Sequence, residues 1–126
     1  MARFDKYDPV SGGFRARLGF APVAGDVGDV IAVDIDGTGK VIKSVDGTDC
    51  EGVICLSSLL SQNDPVDVMT DGEIVDVAAG NNVTGFATGA QVKAGAAGVV
   101  DTAAAGKVIG RFIEAWRLVV RVGRAA

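Results

Sequence analysis

From about residue 23 onward, apolar residues come in short runs, each closed by a cluster of Gly, Asp, Asn or Thr. The run 27–33 is rich in Val and Ile, Asp36-Gly37-Thr38-Gly39 is a turn signal, and Lys40-Val41-Ile42-Lys43 alternates after it. That pattern predicts a hairpin. Asp46-Gly47-Thr48-Asp49 predicts the next turn, and Gly52-Val53-Ile54-Cys55-Leu56 a short, continuously apolar strand. Pro65-Val66-Asp67-Val68-Met69-Thr70 alternates cleanly. Asp71-Gly72 then predicts a type I′ turn, with Glu73-Ile74-Val75-Asp76-Val77 as its partner strand. Two strands close the chain, one at residues 108–115 and one at 117–122.

Helical signal is weak. The Ala-rich stretch 94–105 is broken by Gly95 and Gly98 and followed by Gly106, each costing about 1 kcal/mol against Ala in a helix. At most one short helix is expected, around Ser57–Gln62 or within 88–95. Short strands with turns every eight to twelve residues predict an all-β fold, a small barrel or sandwich of antiparallel strands.

The first 22 residues break this pattern. They hold four of the seven aromatics, Phe4, Tyr7, Phe14 and Phe20, together with Arg3, Lys6, Arg15 and Arg17. Asp8-Pro9-Val10-Ser11-Gly12-Gly13 interrupts any regular element. The division predicted is an extended N-terminal arm over 1–22 and a barrel-like body over 23–126. Aromatics and Arg dominate interface hot spots. Phe4, Tyr7 and Phe14 are therefore expected against another protein. For Phe20, folding back onto the body is an equal expectation. Arg117 and Arg121 share strand parity and are expected on one face, either solvated or meeting acidic groups of a partner.

Composition narrows the function classes. The chain of 126 residues suffices for one domain with one core. Gly is abundant, 18 residues, more than twice the usual share of about 7%, which suits a chain of tight turns. A net charge of −4 argues against direct nucleic-acid binding. No apolar run has the 18 residues of a membrane helix, and the N-terminus lacks the apolar core of a signal peptide. No membrane partner is expected, and synthesis in a cytoplasm is.

Candidate chemistry is sparse. The chain has no His, which removes the usual general base and metal ligand. Cys50 and Cys55 lack the spacing of a zinc or redox knuckle and read as small strand residues. Asp34-Ile35-Asp36-Gly37-Thr38-Gly39-Lys40 is reminiscent of a calcium loop, but its twelfth position is Val45 where a Glu is needed. Gly37-Thr38-Gly39-Lys40 is too short for a phosphate loop. Ser57, Ser58 and Ser61 have no activating neighbour in sequence, and the scattered Asp residues suit turn caps. No catalytic residue, metal or cofactor is expected.

The order of elements is similar to that of the small head-decoration proteins of tailed phages, in particular those of actinobacterial phages. The residues carrying the likeness are Gly25-Asp26 with Val30-Ile31, Glu51-Gly52-Val53-Ile54, the stretch Val66 to Val75, Val108-Ile109-Gly110 and Arg117 to Val122. The opening string from Arg3 through Asp8 to Arg15 resembles the start of such proteins. The resemblance implies a β-barrel-like body, usually a homotrimer, seated on the outer capsid surface and bound to the major capsid protein. On that reading Arg3, Phe4, Tyr7, Asp8, Phe14, Arg15, Arg17 and Phe20 grip the capsid, and Arg117 and Arg121 meet a capsid or sister subunit. The competing expectations are a virion-displayed adhesin for host surfaces or glycans, and a trimeric β-fold enzyme.

Overall fold

The computed structural model describes residues 13–76, 89–114 and 117–122. The chain is all-β, as expected: the described residues form ten strands in two five-stranded sheets with antiparallel pairing between neighbouring strands. The first sheet contains β1 (Gly13–Arg17), β2 (Val30–Ile35), β3 (Val41–Lys43), β4 (Gly52–Cys55) and β5 (Pro65–Met69), in the order β1-β5-β4-β2-β3. The second contains β6 (Asp71–Asp76), β7 (Gln91–Ala94), β8 (Val100–Asp101), β9 (Val108–Glu114) and β10 (Arg117–Arg121), in the order β6-β10-β9-β7-β8.

The first sheet curls into a half-barrel. Just past β1, Leu18 bridges Val41 of β3 in parallel, so the two ends of the strand order meet. The Gly19 N–H donates to the Val41 carbonyl at 2.7 Å and the Leu18 N–H to the Asp64 carbonyl at 2.9 Å. Inside the curl lies one apolar cluster: Leu18, Ile31, Val33, Val41, Ile54, Leu56, Val66 and Val68. A second fills the space between the sheets, where Val30, Ala32 and Val53 meet Val92, Ile109, Phe112, Leu118 and Val120.

Strand alternation explains this division. Side chains along a strand point to opposite faces. Ile31 and Val33 enter the curl while Val30 and Ala32 enter the inter-sheet layer, and β4 splits Ile54 from Val53 in the same way. A strand buried on both faces must be apolar throughout, which accounts for the unbroken run Val30-Ile31-Ala32-Val33.

The turn at Asp46-Gly47 ties the layers together. The Gly47 N–H donates to the buried Ser44 hydroxyl at 3.1 Å, and its carbonyl accepts from the Lys107 N–H at 3.0 Å. Gly47 has φ +87°, and a Cβ there would run into the Ala94 carbonyl.

Two expectations are corrected. Asp71-Gly72 is not a hairpin turn: β5 and β6 lie in different sheets, and the chain crosses between layers there, with Gly72 at φ +92°. The neighbours of β5 are β1 and β4, and the neighbour of β6 is β10. In keeping with at most one short helix, the described residues contain no α-helix, only short 3-10 turns at Ala24–Asp26 and Ala96–Gly98. Over 57–62 the chain is irregular: the Ser61 N–H donates to the Asp64 carboxylate at 2.8 Å, and Asn63 turns the chain at φ +75°. Finally, residues 13–22 of the expected arm are built into the body as strand β1 and the buried Leu18. Phe14 and Ala16 alternate with Arg15 and Arg17, a period that suits an edge strand.

Candidate functional site

Three of the residues expected to make the interface, Phe14, Arg15 and Arg17, lie on β1. Its antiparallel register with β5 pairs Phe14 with Val68, Arg15 with Asp67, Ala16 with Val66 and Arg17 with Pro65. Pro65 has no N–H to give, so the Arg17–Pro65 pair is of the non-hydrogen-bonded kind. Phe14 and Ala16 therefore spend their backbone groups on β5, whereas the N–H and C=O of Arg15 point to the outer edge. β1 stands first in the sheet order, and that edge carries no strand among the described residues up to Leu18. An edge of this kind is a template for an added strand.

The side chains frame the edge. Phe14 leaves 38% of its surface exposed, unusual for a Phe in a sheet. Arg15 forks onto Asp67, Nε to Oδ1 at 2.9 Å and Nη2 to Oδ2 at 3.4 Å. The hydrogen bond to Asp67, and then its charge, raise the Arg15 pKa further above its ordinary value. Both partners are about 70% exposed (69% and 71%), so the pair orients the guanidinium without adding much stability. Arg17 Nη1 donates to the Asn63 carbonyl at 2.9 Å. Arg3, Phe4, Tyr7 and Asp8 lie outside the described residues.

Phe20 folds back. It packs on the half-barrel core, and the Lys43 ammonium stands 5.5 Å from its ring centroid. Lys43 Nζ also donates to Asp26 Oδ1 at 2.9 Å, while the Val23 N–H donates to Asp26 Oδ2 at 3.0 Å. Burial alone would raise the Asp26 pKa. The Lys43 hydrogen bond, the Val23 N–H and the Lys43 charge outweigh it and hold the carboxyl below its ordinary value. A carboxyl lowered in the fold contributes stability that is present above its unfolded pKa and is lost as pH falls through the folded one. Asp26→Asn is therefore expected to destabilise at neutral pH and to flatten the acid limb of the stability profile. Urea melts of both proteins between pH 2 and 7 check this; parallel profiles would refute it.

Arg117 and Arg121 do share the exposed side of β10, with Leu118 and Val120 buried between them. Arg121 sits 3.8 Å from the Asp71 carboxylate. They are on the second sheet, whereas β1 is on the first. Asp36 is committed to its own turn: Oδ1 accepts from the Thr38 N–H, the Thr38 hydroxyl and the Lys40 N–H at 2.6–3.0 Å. Cys50 is buried, with its thiol on the Gly52 carbonyl at 3.2 Å, and Cys55 is exposed; neither is in a disulfide.

Along β5, the neighbour of β1, lies an open groove of about 380 Å³. Leu56, Leu60, Val66, Met69 and Val75 supply apolar walls, and Ser57, Ser58, Cys55 and Asp67 a polar rim. It is assembled from β4 and the loop after it, β5 and β6, and no local pattern announces it.

The backbone path of this half-barrel and its companion sheet is not new. A chain in a solved structure of Mycobacterium phage Patience superposes with a TM-score of 0.71 at 18% identity, covering 95% of both chains. In fold, the chain resembles this mycobacteriophage protein. Coverage from end to end means that the likeness to the mycobacteriophage chain takes in both sheets rather than a single hairpin. No family model and no curated protein matches the sequence.

Proposed function

We propose that this protein is a phage capsid decoration protein: a non-enzymatic virion component that binds the outer capsid surface and stabilises the lattice of the major capsid protein. The likeness over 95% of both chains to a chain of Mycobacterium phage Patience carries this reading. The site supports it. An edge strand with outward-facing backbone groups, a half-exposed Phe14 and two forked cations suits a protein partner, with residues 1–12 continuing the contact. A homotrimer would make the three contacts act together and multiply avidity. The absence of His from the sequence and the commitment of Asp36 to a turn favour a structural over a catalytic role.

Binding to empty expanded shells tests the proposal. The full chain is compared with one beginning at Gly13 and with Phe14→Ala. The cut falls at residue 13 because Leu18 belongs to the core. Loss of one aromatic anchor is expected to cost about 2 kcal/mol, roughly 30-fold in affinity. A full chain that ignores shells would refute decoration. Equal binding by all three proteins would refute β1 and its leading segment as the contact.

A further inference from the structure

We propose that the outer edge of β1 takes an extended segment of another protein in which acidic and apolar residues alternate, with a carboxylate of that segment seated between Arg17 and Lys40. The proposal rests on the reading of β1 as the contact strand and names the chemistry that this strand selects.

The site begins at the seam of the half-barrel. There Leu18 bridges Val41, so Arg17 and Lys40 stand on neighbouring stretches of chain. Both reach the same residue. Arg17 Nη1 donates to the Asn63 carbonyl and Lys40 Nζ to Asn63 Oδ1, each at 2.9 Å. Asn63 is itself held in place, at φ +75° and with its N–H on the Leu18 carbonyl at 2.9 Å. The oxygens of one fixed residue thus hold a guanidinium and an ammonium side by side.

Such a pair lacks a counter-charge. The chain carries a net charge of −4, yet neither cation forms an ion pair among the described residues. The nearby acids are spent elsewhere. Asp67 is forked by Arg15, the Asp64 carboxylate takes the Ser61 N–H, and Asp36 takes the Thr38 and Lys40 N–H groups of its own turn. Lys40 does little for Asp36, whose pKa is lowered first by the Thr38 hydroxyl and last by the Lys40 charge. Asn63 is neutral and occupies one donor of each cation. The two like charges repel, and their remaining donors favour an anion between them.

A carboxylate fits that place, because its two oxygens can meet a guanidinium and an ammonium at once. A nucleic-acid strand fits poorly: its run of phosphates would be repelled by the acidic chain around the site. Strand geometry sets the rest of the partner. In a strand added to β1, alternate side chains share the face of Arg15 and Arg17, and the others share the face of Phe14 and Ala16. Acidic residues suit the first row. Apolar residues suit the second, where Phe14 is left partly uncovered.

The experiment titrates the isotope-labelled full chain, without shells, and follows it by NMR. The probes are a short peptide of alternating Glu and Val, its Gln-for-Glu twin, and a short single-stranded oligonucleotide. The Glu peptide is expected to shift the Arg17 Nε–H and Asn63 side-chain amide signals. Arg17→Gln/Lys40→Gln is expected to weaken its binding about five-fold, as for two exposed ion pairs, and Arg17→Lys/Lys40→Arg to restore it. Unchanged amide signals elsewhere verify the fold of each variant. Absence of binding by the Glu peptide, equal binding by its Gln twin, or preference for the oligonucleotide overturns the proposal. Adding the unaltered chain to empty expanded shells separates the two readings. A chain that takes the Glu peptide and ignores shells sinks decoration alone. One that binds shells and is indifferent to the Glu peptide sinks this proposal alone.

Discussion

Phe112→Ala should lower stability by about 3–5 kcal/mol, the usual cost of removing a buried aromatic from a packed core. Phe112 is 1% exposed and, among the described residues, is the largest side chain fully enclosed between the two sheets. Its register partner is Leu118 of β10. Its backbone is pinned as well, the N–H donating to the Ala90 carbonyl at 3.0 Å and the carbonyl accepting from the Gly89 N–H at 2.7 Å. Held this way, β9 cannot slide inward to close the cavity, which places the cost high in the range. Thermal melts should fall by roughly 10 °C or more, with an unchanged urea m-value. A fall of only a few degrees would mean that the inter-sheet layer is not packed as described.

Leu18→Ala should cost about 2–5 kcal/mol, and this result bears on the N-terminal boundary. Leu18 is 0% exposed inside the half-barrel, and its backbone joins the loop before β5 on one side and β3 on the other. Alanine keeps the backbone contacts and removes the side chain, so the measured loss reports packing inside the curl. If residues 13–22 belonged to a free arm, the same change would be silent in a melt.

Much of the fold was legible where signals are local. The β2–β3 hairpin followed from Asp36-Gly37-Thr38-Gly39, and β4 from its apolar run. The Asp71-Gly72 pair misled because such a dipeptide encodes a sharp change of direction and a positive φ at Gly72, not the identity of the next strand's partner. Both flanking strands were read correctly as strands; which strands they join is decided by β1, β4 and β10, far away in sequence. β1 escaped notice for a different reason. It is only five residues long, it begins at the second of two glycines, and its outward Arg15 and Arg17 look like features of an arm.

The same distinction holds for the site. Phe14, Arg15 and Arg17 were legible as interface candidates because aromatics and forked cations stand out in a Val- and Gly-rich chain. Phe20 left two readings open in sequence, and its packing on the half-barrel core beside Lys43 decides for the body. The groove was not legible, since Cys55, Leu60, Met69 and Val75 come together only when β4, the loop after it, β5 and β6 are assembled.

Because β2 and β4 each serve two interiors, neither half of the molecule possesses walls of its own. Opening the curl strips Val30, Ala32 and Val53 from the companion sheet, and lifting that sheet leaves β2 and β4 wet on one side. Partial opening is thereby penalised, and the amide protons of β2 are left to exchange with deuterium only through the rare, whole-chain event.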